Sequence, residues 1–137
     1  MTKFNNNSSY CYIIVSEKPK IIEFNDDKGI FGKVEEITSR AVGAERANIA
    51  KIILWGPDIL HIHKETEETY ICVKGEGEIF LIDQIFEFIP GVRVIVRPGI
   101  LHAAKPKKNS RKLVFLCVSS PAFRPEDVYN DPRGRAW

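Results

Sequence analysis

Long apolar runs, a dominant charge sign and a pairable set of cysteines are all missing from this 137-residue chain. No stretch approaches the roughly 18 apolar residues that a membrane-spanning helix needs, so a bilayer partner is not expected. Lys and Arg number 20 against 18 Asp and Glu, and the resulting charge of +2 leaves no electrostatic footprint for nucleic acid. The 3 cysteines, Cys11, Cys72 and Cys117, form no short CxxC pair and leave an odd count. That pattern argues against a disulfide framework or a zinc knuckle and predicts buried reduced thiols. The opening Met1-Thr2-Lys3-Phe4-Asn5-Asn6-Asn7 has no apolar stretch of the signal-peptide kind, which predicts a cytoplasmic location. Long helices are missing too: Gly43 interrupts the stretch from Ser39 to Arg46 and no 3.6-residue apolar stripe supports it, so it reads as a loop.

What is present is a 44% hydrophobic composition in a chain the size of one domain. Its apolar residues come in short runs, many of them β-branched, separated by Gly, Pro, Asp or Lys clusters. Strands are predicted over 10–15, 20–24, 34–38, 47–55, 58–63, 68–74, 77–82, 84–89, 92–96, 101–104 and 112–118. The fold class is therefore all-β, a sandwich or closed barrel, because closure removes edges that invite aggregation. Residues 1–9, polar and Asn/Ser-rich, are expected to form a flexible arm before a barrel over 10–120. Pro121, Pro125, Pro132 and Gly134 keep the tail, 121–137, from continuing as an internal strand, and it is expected to pack over an opening or a partner.

The 3 histidines lie in two short segments, His61-Ile62-His63 and Pro98-Gly99-Ile100-Leu101-His102. In a strand, residues i and i+2 share a face, so His61 and His63 present two imidazoles about 7 Å apart along the chain. Glu68 follows a polar turn, and a hairpin there returns it beside them. His102, far away in sequence, is expected to join only if the barrel closes and a second hairpin supplies it from across the lumen. The result is a mixed N/O ligand set for a divalent transition metal such as Fe, Mn, Zn, Ni or Co. His61 alone would more often be a hydrogen-bonded interior histidine, and Glu68 alone a solvated hairpin charge, so the reading rests on all four together. Glu67 is the competing carboxylate, but strand alternation turns it to the opposite face.

These residues resemble a family pattern. The run Gly56-Pro57-Asp58-Ile59-Leu60-His61-Ile62-His63, followed by Glu68 and Gly75, is similar to the first cupin motif, and Gly75-Glu76-Gly77-Glu78 to the turn that ends it. The segment from Gly91 to His102 resembles the second motif, with Val92 and Arg97 as departures from the common pattern. Together the two motifs span about residues 56–102. The resemblance implies the cupin double-stranded β-helix, a jelly-roll barrel, with His61, His63, Glu68 and His102 as metal ligands.

By two-residue alternation Tyr70 and Cys72 follow Glu68 into the interior, and a solvated Glu87 would turn Phe86 and Phe88 inward as well. Tyr70 and Cys72 are expected to line a pocket, with Tyr70 as a proton-transfer group, while Phe86 and Phe88 would make its wall partly aromatic or, as the preferred reading, pack in the core. Arg93 and Arg97, on the strand leading to His102, could fork onto an acidic group of a substrate. The same parity sends Leu60, Ile62, Ile71 and Val73 outward, an apolar face expected to pack on the chain's own N-terminal strands or, as the preferred reading, on a second copy in a homodimer. Resemblance to phosphomannose-isomerase-like small cupins implies metal-dependent isomerisation of a sugar phosphate or a similar small oxygen-rich metabolite. The alternatives are an Fe(II)-dependent dioxygenase and a non-catalytic small-ligand-binding or sensor module.

Overall fold

A computed structural model of the chain describes residues 2–5 and 12–137. Thirteen short strands dominate: β1 (Thr2–Asn5), β2 (Tyr12–Val15), β3 (Lys20–Asp26), β4 (Gly29–Glu36), β5 (Asn48–Leu54), β6 (His61–Ile62), β7 (Glu67–Lys74), β8 (Gly77–Leu81), β9 (Gln84–Phe88), β10 (Arg93–Val96), β11 (His102–Pro106), β12 (Leu113–Ser120) and β13 (Tyr129–Asn130). Single 3-10 turns occur at Arg40–Val42 and Pro125–Asp127. The first of these falls in the stretch expected to be a loop, and Gly43 ends it at φ 102°, a conformation that glycine adopts without penalty.

The strands form a six-stranded sheet in the order β10-β7-β12-β5-β4-β3, a five-stranded sheet in the order β13-β6-β11-β8-β9, and a separate β1-β2 pair. Thr2–Asn5, in the segment expected to be an arm, thus pairs antiparallel with β2. Residues 6–9 of that arm, and Cys11, lie outside the described residues. Between the two larger sheets sits the main core: Leu54, Tyr70, Phe115 and Cys117 come from the six-stranded sheet, Ile79, Phe88 and Ala104 from the other. This is the double-stranded β-helix expected from the sequence. The expectation of a closed barrel is corrected in one respect: the hydrogen-bonded ladders end at β10 and β3 in one sheet and at β13 and β9 in the other. Two of those edges are only 4 and 2 residues long, β10 stopping before Pro98 and β13 lying between Pro125 and Pro132, and among the described residues no ladder bridges the sheets.

On the outer face Leu60 is covered by the chain itself, packing with Phe80 and Ala103 against Leu101 and Trp137. Trp137 Nε1 donates to the Asp58 carbonyl at 2.8 Å, and Lys105 Nζ sits 4.4 Å from the indole centroid. Ile62 and Ile71 are half-buried, while Val73 and Ile95 on the outer face of the six-stranded sheet stay exposed.

After β7, which pairs with β10 and β12 and carries Glu68, the chain crosses to β8 in the other sheet through a turn at Gly75. That residue has φ 86°, and a Cβ built there would lie 2.1 Å from the Lys112 carbonyl oxygen. Gly75→Ala is therefore expected to destabilise the fold by ~2 kcal/mol or more, since strain in the left-handed region adds to a backbone clash. Urea unfolding followed by circular dichroism measures this, and an unchanged midpoint would contradict the role given to the turn.

Candidate metal centre

The two sheets contribute to one cluster. His61 on β6 and His102 on β11 are direct cross-strand partners in the five-stranded sheet, and Glu68 on β7 reaches across from the six-stranded sheet. His63 leaves the end of β6 on the same side as His61. Their ligand atoms all lie within 4.8 Å of one another and all four residues are buried. Glu67, by contrast, faces solvent, as alternation requires.

The hydrogen bonds of the imidazoles decide what the cluster can hold. His61 Nδ1 lies 2.6 Å from the Ile59 carbonyl, His63 Nδ1 2.9 Å from the Asp127 carbonyl, and His102 Nδ1 2.8 Å from the Ile100 carbonyl. A carbonyl only accepts, so each Nδ1 carries the proton and donates it. Each neutral ring then turns an Nε2 lone pair inward, toward a carboxylate that also only accepts. His63 Nε2 and His102 Nε2 stand 3.0 and 2.9 Å from Glu68 Oε1. The first of these contacts lacks hydrogen-bond geometry, leaving His63 Nε2 as a buried polar atom without a hydrogen-bond partner. Such an orphan costs ~1–3 kcal/mol unless something occupies the gap. Only extra protons or a shared cation can reconcile these acceptors, and Nδ1–H donation to backbone carbonyls is the outer-shell arrangement that metal-ligating histidines use. The donor set fits a divalent transition metal.

Glu68 is held from behind. Its Oε2 accepts from Cys117 Sγ at 3.2 Å and from Ser119 Oγ at 3.5 Å, both on β12, while Tyr70 Oη donates to Oε1 at 3.4 Å. Burial and then the Glu68 charge push the Tyr70 phenol well above its ordinary pKa of 10.0, so Tyr70 serves as a hydrogen-bond donor and not as a base. Burial is also the largest influence on the Cys117 thiol, raising it well above 9.0 and keeping it protonated.

Beside the cluster opens a cavity of about 470 Å³ lined by His61, His63, Glu68 and Tyr70 at its inner end. Its wall is mostly apolar, with Ile22, Phe24, Phe31, Val34 and Ile52 from β3, β4 and β5. Glu36 and Asp58 supply carboxylates, whereas Glu23, out of phase with Ile22 and Phe24 on β3, turns its side chain to the opposite face; among the described residues no lysine or arginine lines the cavity. Burial, the largest influence, raises Asp58 to about 6. Of the side chains expected to line a pocket, Tyr70 does so, but Cys72 lies in the core with its Sγ 3.7 Å from the Phe88 carbonyl, and Phe88 is fully buried there. Phe86 points to the core side, opposite Ile79, yet β9 is the outermost strand of its sheet and the ring remains 47% exposed. Arg93 and Arg97 are exposed near the β10 edge and are not among the lining residues. Asp58, Cys117, Ser119 and Asp127 were not singled out by sequence reasoning as site residues. Strand parity from Phe115 on β12 would have placed Cys117 and Ser119 inward, whereas nothing local marks Asp127.

No model of a known protein family matches the chain, and no curated protein matches it by sequence. Solved structures do match in fold. Pac13, a nucleoside dehydratase from Streptomyces, aligns at a TM-score of 0.65 and 14% identity over 85% of this chain and 92% of its own. A Klebsiella pneumoniae protein with a double-stranded β-helix domain aligns at 0.63 and 14%, over 73% of this chain and 84% of its own. Oxalate decarboxylase from Bacillus subtilis aligns at 0.65 and 18%, over 85% of this chain and 32% of its own. These likenesses show the fold, a double-stranded β-helix, which proteins of differing chemistry share.

The cluster gives the metal-free chain a pH dependence. Burial and then the His102 charge lower His61 to about 4. Burial opposes protonation of His63 as well, but the Glu68 carboxylate outweighs it and raises that imidazole. Glu68 is pushed up by burial yet held well below 4.5 by His102 and His63. The depressed His61 makes folding less favourable as pH falls from 6.5 toward 4, because the unfolded chain takes up that proton first. His63 acts in the opposite sense, stabilising the fold below 6.5 and losing that contribution as pH rises through its raised value. Glu68 adds stability above 4.5, lost as pH falls through its lowered folded value. His61→Gln removes only the first of these, so relative to wild type it should gain stability between about pH 7 and about pH 4.5. Urea unfolding of chelator-treated proteins at both pH values tests this, and a gap that stays constant would count against it.

Proposed function

We propose that this chain is a metal-dependent cupin enzyme that binds one divalent transition metal through Nε2 of His61, His63 and His102 and the Glu68 carboxylate. The observation that carries the reading is the arrangement of three imidazoles, each locked as the Nδ1–H tautomer by a backbone carbonyl, around a carboxylate with one Nε2 left without a hydrogen-bond partner. Bound there, such an ion supplies Lewis-acid polarisation of carbonyl and hydroxyl oxygens. The cavity beside it receives the substrate, a small metabolite bearing those oxygens.

Asp58 is the group on the cavity wall suited to move a proton. Burial holds its carboxyl at about 6, close to the pH at which a side chain can both accept and return a proton. Its Oδ1 accepts the Ile59 N–H at 2.7 Å, which fixes the side chain just before the His61-Ile62-His63 strand. Isomerisation of an aldose to a ketose, by polarising neighbouring oxygens and shuttling one proton, uses only these parts. The sugar-phosphate form of that reading is less well supported than an uncharged one: Glu36 and Asp58 would repel a phosphate, with no described lysine or arginine on the wall to hold it. An uncharged substrate with an apolar or ring-shaped body fits the lining better. Pac13 has been crystallised with uridine, an uncharged ring-bearing ligand, which agrees with this preference.

Metal analysis of the chain purified without added ions, followed by anaerobic assays on matched uncharged and phosphorylated sugars and nucleosides, tests the proposal. Stoichiometric metal and turnover of an uncharged compound are expected, with His63→Ala losing more metal affinity than the ~10–100-fold typical of outer-shell changes. Failure to retain or take up any divalent transition metal would overturn the reading. Turnover confined to phosphorylated compounds would overturn the substrate preference, and substrate-dependent oxygen uptake would replace isomerisation with oxygenation.

A further inference from the structure

The loop of residues 64–66 joins two of the proposed ligands, His63 and Glu68, and its three consecutive backbone N–H groups converge on one side chain. Lys64 N–H donates to Asp127 Oδ1 at 2.9 Å, Glu65 N–H reaches both oxygens at 3.2 Å, and Thr66 N–H donates to Oδ2 at 3.0 Å. The carbonyl of the same residue accepts the Nδ1–H of His63 at 2.9 Å. Asp127 is buried, and although burial, the largest influence, raises its carboxyl, the loop's hydrogen bonds together leave it lowered, so it is ionised at neutral pH. Hydrogen bonds from several N–H groups to one ionised carboxylate are of the strong, charge-assisted kind.

We propose that Asp127 is a positioning residue of the metal centre: its carboxylate sets the path of the chain between His63 and Glu68, and its carbonyl sets the tautomer of His63. The inference rests on the metal site proposed above. Its consequence is that the C-terminal segment and the metal bind cooperatively, since each orders groups the other needs. Further contacts fix the same segment in place. Phe123 N–H donates to Asn48 Oδ1 at 2.7 Å, the Phe123 ring stands edge-on to His63 with centroids 6.1 Å apart, and Arg124 pairs with Glu65. Pro125 and Val128, flanking Asp127, line the cavity.

The test uses the full chain and Co2+ as the probe. Asp127→Ala should raise the dissociation constant for Co2+ by ~10-fold or more, the usual effect of losing an outer-shell partner, and should alter the visible Co2+ spectrum. Asp127→Asn keeps the shape and one acceptor oxygen, so it should fold and show a smaller increase. Asp131→Asn is the control, because that tail carboxylate pairs with Arg133 at 2.9 Å and touches none of residues 63–66 in these bonds, and its Co2+ affinity should match wild type. A merely structural role for Asp127 would lower the melting temperature of the metal-free variants while leaving Co2+ affinity and spectrum unchanged, and that result would overturn the proposal. Wild-type protein that takes up no Co2+ would overturn the metal site itself and this inference with it.

Discussion

Four hydrogen-bond acceptors face one another in a buried space, and the architecture around them is arranged to keep them there. Each imidazole gives its Nδ1 proton to a backbone carbonyl, so none can turn that donor toward Glu68. The carboxylate is pinned on its other side by Cys117 and Ser119. A core that placed these groups together for packing alone would be poorly designed, because buried polar atoms without partners cost free energy that an apolar replacement would not. A shared cation turns the same arrangement from a penalty into a binding site. The sandwich serves that end directly, since His61 and His102 come from one sheet and Glu68 from the other.

The cluster was legible in the sequence because each member could be placed by short-range rules. Alternation put His61 and His63 on one face and separated Glu68 from Glu67, and motif spacing brought in His102 from the second half of the chain. Most strand positions were legible for the same reason, as runs of β-branched residues bounded by turn residues. What could not be read were relations between segments far apart in sequence. The direction in which Phe86 points follows from parity, but its exposure depends on β9 being an outermost strand, which alternation does not reveal. Cys72 follows Tyr70 by parity into the interior, yet only Tyr70 reaches the cavity, because the cavity occupies one end of the sandwich and the core fills the other. Whether two sheets close into a barrel depends likewise on the lengths of the edge strands, which the motifs do not set.

The C-terminal segment shows the limit most clearly. Its prolines correctly rule out an internal strand, and it becomes an edge, β13 pairing with β6 through Tyr129 and Asn130. Sequence gives no reason for Asp127 to matter, since a lone aspartate after a Pro-Glu pair reads as a solvated turn charge. Its importance comes from a fold-level accident of proximity: the segment crosses the loop between His63 and Glu68, where several N–H groups lack strand partners, and a carboxylate satisfies them together.

Charge sorts the chemistry further. A doubly charged ion at the cluster, offset by Glu68, would leave the inner end of the cavity attractive to electron-rich oxygens. Elsewhere on the wall Glu36 adds a negative charge, beside an apolar surface of Phe24, Phe31, Val34 and Ile52. A ligand matched to this lining presents oxygens at the inner end, an apolar body to that surface and hydrogen-bond donors, not acidic groups, to Glu36. Selectivity of this kind does not need a dedicated recognition arginine. It arises because a phosphate entering such a cavity would lose its hydration without gaining a lysine or arginine from the wall, whereas a hydroxyl can donate to a carboxylate at little cost. Arg93 and Arg97, exposed near the β10 edge, are not among the residues that line this cavity.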